Sequence, residues 1–178
     1  MLRLVWAIAT LALGGCWYAS PISSRGHGWT PSTKPFVPPD RPLEEWRQLM
    51  ADRTWLYYSK YVFYTPADGR AFLWYAGQSR LFVGEWKLEK APHPQARSPQ
   101  SRLCFRYPGA ATHPGSDRRG DEWSCGEPFF YLGGDPINHP HESVAGDIFG
   151  LESRRDAPFV FTWDESVTLA KLQARLRR

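Results

Sequence analysis

Residues 54–65 read TWLYYSKYVFYT, and 66–70 after them read PADGR. The first stretch is made of β-branched and aromatic residues, the kinds that fill a pleated, half-buried surface. Pro66, Asp68 and Gly69 then supply hairpin-turn chemistry, with Gly69 free to take positive φ. The expected order is a β segment, a tight turn, and a returning strand from Arg70 to Ala76. That order sets an antiparallel meander.

The pattern continues outward. Gly77-Gln78-Ser79-Arg80 turns the chain into LFVGEWKLEK, where Phe82, Gly84, Trp86 and Leu88 alternate with Val83, Glu85, Lys87 and Glu89. Period-two alternation of this kind marks a strand with one apolar face. APHPQARSPQ is a loop by its prolines. SRLCFRY alternates again, with Leu103, Phe105 and Tyr107 on one side and Arg102, Cys104 and Arg106 on the other. PGAATHPGSDRRGD reads as a second, polar and mobile loop, and EWSC brings Cys125 back. PFFYL, VAGDIFGL and PFVFTW are later apolar segments.

Helices flank the strands. Asp40 is placed to N-cap a short helix with Pro42 in its first turn, and Leu43, Trp46 and Met50 form its apolar stripe. At the C-terminus Thr162 and Glu165 have capping-box spacing ahead of Leu169, Leu172 and Leu176. Arg175, Arg177 and Arg178 suit the negative end of that helix. The fold class is therefore mainly β: an antiparallel meander curled into a small barrel or half-barrel, with a short N-terminal helix and a C-terminal amphipathic helix. An open sheet packed on the C-terminal helix is the alternative.

The chain begins MLRLVWAIATLALGGCWYAS. One positive charge precedes an apolar run from Leu4 to Leu13, short for a membrane span and right for a signal-peptide core. Leu13-Gly14-Gly15-Cys16 resembles a bacterial lipobox. The resemblance implies cleavage before Cys16 and lipid on its sulfur and new amine, a stable anchor by the several chains it carries. An uncleaved anchor and a plain secretory signal stay open beside it. Residues 1–15 are then a signal peptide, 16–39 a Pro/Ser/Gly-rich tether, and 40–178 a single β-rich domain. The expected place is the bacterial envelope, with Trp17 after the cysteine leaning toward the outer membrane.

Of three cysteines, lipid on Cys16 leaves Cys104 and Cys125 to pair in an oxidising compartment. The net charge of +4 is spread along the chain, so nucleic acid, which selects a basic stripe with stacking aromatics, is not an expected partner. The partners expected are a membrane, through the anchor, and an envelope protein.

The body resembles a group of uncharacterised secreted bacterial proteins whose strands read D-G-R, F-L-W-Y, G-x-W, C-F-R-Y and W-x-C. The matching residues are Asp68 to Arg70, Phe72 to Tyr75, Gly84 to Trp86, Cys104 to Tyr107 and Trp123 to Cys125, spanning roughly 53–125. That resemblance implies fold and compartment. Gly84-Glu85-Trp86 is also similar to the G-x-W of lipocalins, though here it lies mid-chain.

Little catalytic chemistry is visible. His139-Pro140-His141 with Glu142 is the best metal-like cluster, but its spacing fits no zinc framework and Pro140 favours a turn. Surface loop histidines are the reading adopted, and neither metal nor cofactor is expected. Ser79 lacks a nucleophile-elbow pattern. His27, His93 and His113 lie in proline-rich segments, poor supports for a base. Glu85, Asp121, Glu122, Asp135 and Asp147 are explained as solvated faces and turns. With nine Trp and 15% aromatic residues, core and binding surface share many large rings. Alternation puts Trp74 and Tyr75 on opposite faces, so one of them is expected to point outward toward a partner or ligand. The expectation is a non-enzymatic envelope lipoprotein, a module that binds a partner or helps organise the envelope. A carrier with a barrel cavity and an inhibitor of a cell-wall hydrolase are the alternatives.

Overall fold

A computed structural model describes residues 40–178 apart from Gln95, 132–141 and Glu165. Cys16, the tether, Asp135, His139 and His141 thus lie outside the described residues. The elements are α1 (Leu43–Met50), β1 (Arg53–Tyr57), β2 (Tyr61–Thr65), β3 (Arg70–Tyr75), β4 (Leu81–Ala91), β5 (Gln100–Arg106), β6 (Ser124–Gly126), the helical turn α2 (Pro128–Tyr131), β7 (Glu142–Ala145) and α3 (Leu169–Leu176). The strands form one antiparallel sheet in the order β6-β5-β4-β3-β2-β1-β7. The meander holds, and the sheet is curled rather than closed into a barrel.

The deciding stretch contains more than one strand. β1 and β2 pair from Arg53↔Thr65 to Tyr57↔Tyr61, so 54–65 is itself a hairpin. Its turn contains no Gly, Asn or Pro. Tyr58 and Ser59 carry φ of 52° and 50°, and the Lys60 N–H donates to Tyr57 O at 3.1 Å. Two positive φ values are what a primed turn demands, and glycine or asparagine usually meets that demand. Sequence reading by turn residues therefore passes over it.

The next turn, at Gly69 (φ 89°), is where the sequence placed it. β4 then pairs with β3 through Leu81 to Glu85 and with β5 through Glu85 to Ala91. This stagger lets the sheet curl. Gly84 sits at the crossover: a Cβ there would lie 2.0 Å from the Arg106 carbonyl oxygen and 2.6 Å from the Tyr107 ring. Only glycine permits that approach.

Each face of the sheet has a core. Trp55, Phe63, Leu73, Trp86, Leu103 and Phe105 fill the first, beneath Trp46 and Met50 of α1. Thr65 fastens the helix, its hydroxyl donating to Met50 O at 2.6 Å and accepting from Trp55 Nε1 at 3.3 Å. On the second face Leu56, Val62, Phe72 and Trp74 meet Phe149, Leu151, Phe161, Leu169 and Leu172. β1 to β3 are thus covered on both sides, which is why they read as nearly unbroken apolar runs. Beyond them, on β4 and β5, the second face turns charged, with Glu85 paired to Arg106 at 2.6 Å and Lys87 to Glu89 at 2.5 Å.

Both expected helix caps are corrected. Pro42, without a side-chain bond, precedes α1. Asp40 instead pairs with Lys90 and accepts from the Ser101 N–H at 3.1 Å. Burial raises its pKa, but these bonds outweigh it and hold the carboxyl at about 2. At the other end, Thr168, not Thr162, caps α3, its Oγ1 accepting from the Lys171 N–H at 3.1 Å. Glu142 adds a second acceptor for the Leu169 N–H at 2.8 Å. The apolar stripe of α3 is as read: Leu169 and Leu172 are buried, and Leu176 packs beside them.

Candidate functional site

The β1–β2 hairpin builds the site. Tyr57 ends one strand and Tyr61 begins the next, both on the first face, while Tyr58 and Lys60 project from the turn between them. The tip is pinned by the segment leading to α3. Trp163 Nε1 donates to Tyr58 O at 3.1 Å, and buried Ser59 donates to Val167 O at 3.5 Å. The Lys60 ammonium lies 5.6 Å from the Trp163 ring centre and 5.9 Å from that of Tyr75, within cation–π reach of both.

Beside this tip is a cavity of about 420 Å³, within the size range of small-molecule sites. Phe63, Leu73 and Phe105 of the sheet form its apolar floor. Tyr57, Tyr61 and Tyr131 supply aromatic walls, Ser124 of β6 and the loop at His113 supply another side, and Trp163, 52% exposed, stands at the mouth. Tyr131 comes from α2 and stacks on Tyr57, ring centres 4.8 Å apart. Tyr61 stacks likewise on Tyr75, also at 4.8 Å. The rings hold each other in place.

The phenols stay protonated. Burial, with Tyr131 next to it, pushes the Tyr57 hydroxyl far above the ordinary tyrosine value. Burial and then Tyr75 push Tyr61 up to about 12, and burial followed by Tyr58 and Tyr61 does the same to Tyr131. At neutral pH these groups are therefore hydrogen-bond donors and flat surfaces, and poor bases or nucleophiles. His113 is pulled the other way. Burial lowers its pKa, so the imidazole is neutral. Its Nδ1 accepts from the Gly115 N–H at 3.1 Å, which puts the proton on Nε2. That Nε2 is buried without a well-formed hydrogen bond.

The residues singled out from sequence divide. Trp74 is core: it is fully buried, packs edge-on against Phe149, Phe159 and Phe161, and donates to Phe159 O at 3.0 Å. As a partner contact it is corrected, because no surface of it is free. Tyr75 points to the opposite face, half-buried, behind Tyr61 and Lys60. Cys104 and Cys125 sit directly opposite on β5 and β6 and are joined as a disulfide. Glu89 lies beside the two sulfurs, which as a disulfide offer no thiolate for a metal. Cys104, on the polar side of its strand as read, is nevertheless buried.

Among the described residues, Glu85, Asp121 and Asp147 are held by separate partners: Glu85 by Arg106, Asp121 by Arg119, and Asp147 by the Glu152 N–H, from which it accepts. Glu142 caps α3. The loop after Tyr107, expected to be mobile, is packed instead: the Tyr107 N–H donates to Gly120 O at 2.6 Å and His113 is buried. Sequence reasoning missed the tyrosine cluster and Lys60 because it missed the turn. Once residues 54–65 are a hairpin, Tyr57 and Tyr61 become a cross-strand pair. Trp163 and Tyr131 carried no comparable signal.

Comparison with known protein families, with curated proteins and with solved structures finds no match to this chain. Among the described residues no helix is long and apolar enough to cross a membrane.

Proposed function

We propose that this chain is an envelope lipoprotein whose β domain binds a small molecule without converting it. The observation that carries the reading is the cavity of about 420 Å³ walled by Tyr57, Tyr61 and Tyr131. Its apolar floor and ring of phenolic donors match the usual make-up of a ligand site, mostly hydrophobic with a few fixed polar groups. Protonated phenols favour holding over chemistry. The Leu13-Gly14-Gly15-Cys16 motif supports lipid attachment, with the membrane as the partner of the anchor.

Ser124 shares the cavity side of its strand pair with Phe105, so Ser124→Trp puts a large ring where the ligand would sit. The binding reading expects a small molecule to copurify with the full chain and to be lost from Ser124→Trp. Equal occupancy of both, or of neither, contradicts it. For the anchor, Cys16→Ser is expected to abolish labelling by palmitate. Retained labelling overturns lipidation at Cys16.

A second reading, docking of an envelope protein, is favoured by the exposure of Trp163 and Val160 on one segment. Trp163→Ala would then weaken that complex while leaving Ser124→Trp without effect on it.

A further inference from the structure

The cavity is unevenly furnished with polar groups. Its described lining contains no Asp, Glu, Asn, Gln or Arg. Lys60 is the one amine among those residues, half-buried, and its described neighbours are the Trp163 and Tyr75 rings. Among the described residues no carboxylate pairs with it. This half-buried cation, facing aromatic rings and a cavity, has among the described residues no counter-charge of the kind that burial normally demands.

The walls narrow the choice of anion. A polyhydroxylated ring brings several O–H donors that must each find an acceptor, and sugar sites meet this with planar carboxylates and amides. Here the described lining offers no carboxylate or amide side chain, and the Tyr57 and Tyr61 hydroxyls already hydrogen-bond to Tyr58 and Tyr75. Burying unsatisfied hydroxyls would be costly. A flat unsaturated ring has no such demand. It matches the Phe63 and Phe105 floor and the tyrosine walls through ring–ring packing.

We infer that the ligand is a small aromatic carboxylate, its ring held among Tyr57, Tyr61 and Tyr131 and its carboxylate by Lys60. The inference rests on the binding reading above and deepens it. The cavity volume suits one or two fused rings.

Isothermal titration of the full-length chain with naphthoate, with its neutral analogue naphthamide and with glucuronate tests it. Naphthoate is expected to bind about tenfold or more tightly than naphthamide, the worth of one charge-assisted contact. Lys60→Met is expected to bring the two level by weakening naphthoate alone, whereas Lys60→Arg keeps the preference and reports that the turn still folds. Equal binding of naphthoate and naphthamide to the unaltered chain overturns the anion while leaving the cavity reading intact. Tighter binding of glucuronate overturns the aromatic ring. Binding of none of the three overturns both the inference and the cavity reading beneath it.

Discussion

Tyr57 and Tyr131 stack with their ring centres 4.8 Å apart and their planes 19° apart, joining the hairpin tip to the helical turn beyond β6. Nothing in the local sequence of either residue demands the other. The stack closes one wall of the cavity.

A double-mutant cycle with Tyr57→Leu and Tyr131→Leu is expected to give a coupling of about 1 kcal/mol in chemical denaturation. Tyr131→Phe keeps the ring and should cost only a few tenths. Additive losses from the two leucine variants would mean that the rings are neighbours without an energetic bond.

The β1–β2 turn holds Tyr58 and Ser59 at positive φ, where a side chain costs on the order of 1–2 kcal/mol relative to glycine. Ser59→Gly removes that strain and only one long hydrogen bond, to Val167 O. The variant is expected to gain about 1 kcal/mol in denaturant unfolding. Sequence-unfavoured backbone is often kept where function needs it, and here it carries Tyr58 and Lys60 to the cavity. A loss of stability in Ser59→Gly would show that the serine hydroxyl outweighs the strain.

The legibility of the fold follows from the same turn. Alternation placed β4 and β5 and their apolar side correctly, because Trp86, Leu88, Leu103 and Phe105 share one face and charged residues the other. The Cys104–Cys125 pair was legible from cysteine number and the expectation of an oxidising compartment. The hairpin at 58–60 was not, since Tyr, Ser and Lys are not turn formers. With the turn unseen, the tyrosines of 57–61 read as one continuous strand, and the site they make was hidden. Trp74 was hidden for a different reason: period two separates the faces of a strand but not a solvent face from a second core.

His113 makes stability depend on pH. Its folded pKa lies below the ordinary 6.5 through burial, so the unfolded chain takes up a proton first as pH falls. The contribution is full above about pH 6.5 and declines through the window beneath it; a hydrogen bond to the Phe105 backbone partly offsets the burial, and Arg118 nearby disfavours the charged ring. His113→Gln cannot titrate and is expected to flatten the stability profile between neutral pH and mildly acidic pH. An unchanged slope would mean that the ring charges without strain.

Cys104 and Cys125 close a loop with a sequence separation of 21 and tie β6, with Ser124, to the sheet. Replacing both with alanine is expected to cost ~3 kcal/mol of stability by the loop-entropy argument. It should also weaken retention of any cavity ligand, as the wall at Ser124 loosens. Equal denaturation midpoints with and without reductant in the unaltered chain would contradict a structural role for the bridge.

The most direct measurement is native mass spectrometry of the full chain purified from an oxidising compartment, beside its Ser124→Trp variant. The expected result is an oxidised chain carrying a small molecule, and a variant of otherwise identical state with none. A bare chain that also fails to take up an added aromatic ring would contradict the claim that the tyrosine-walled cavity is a binding site.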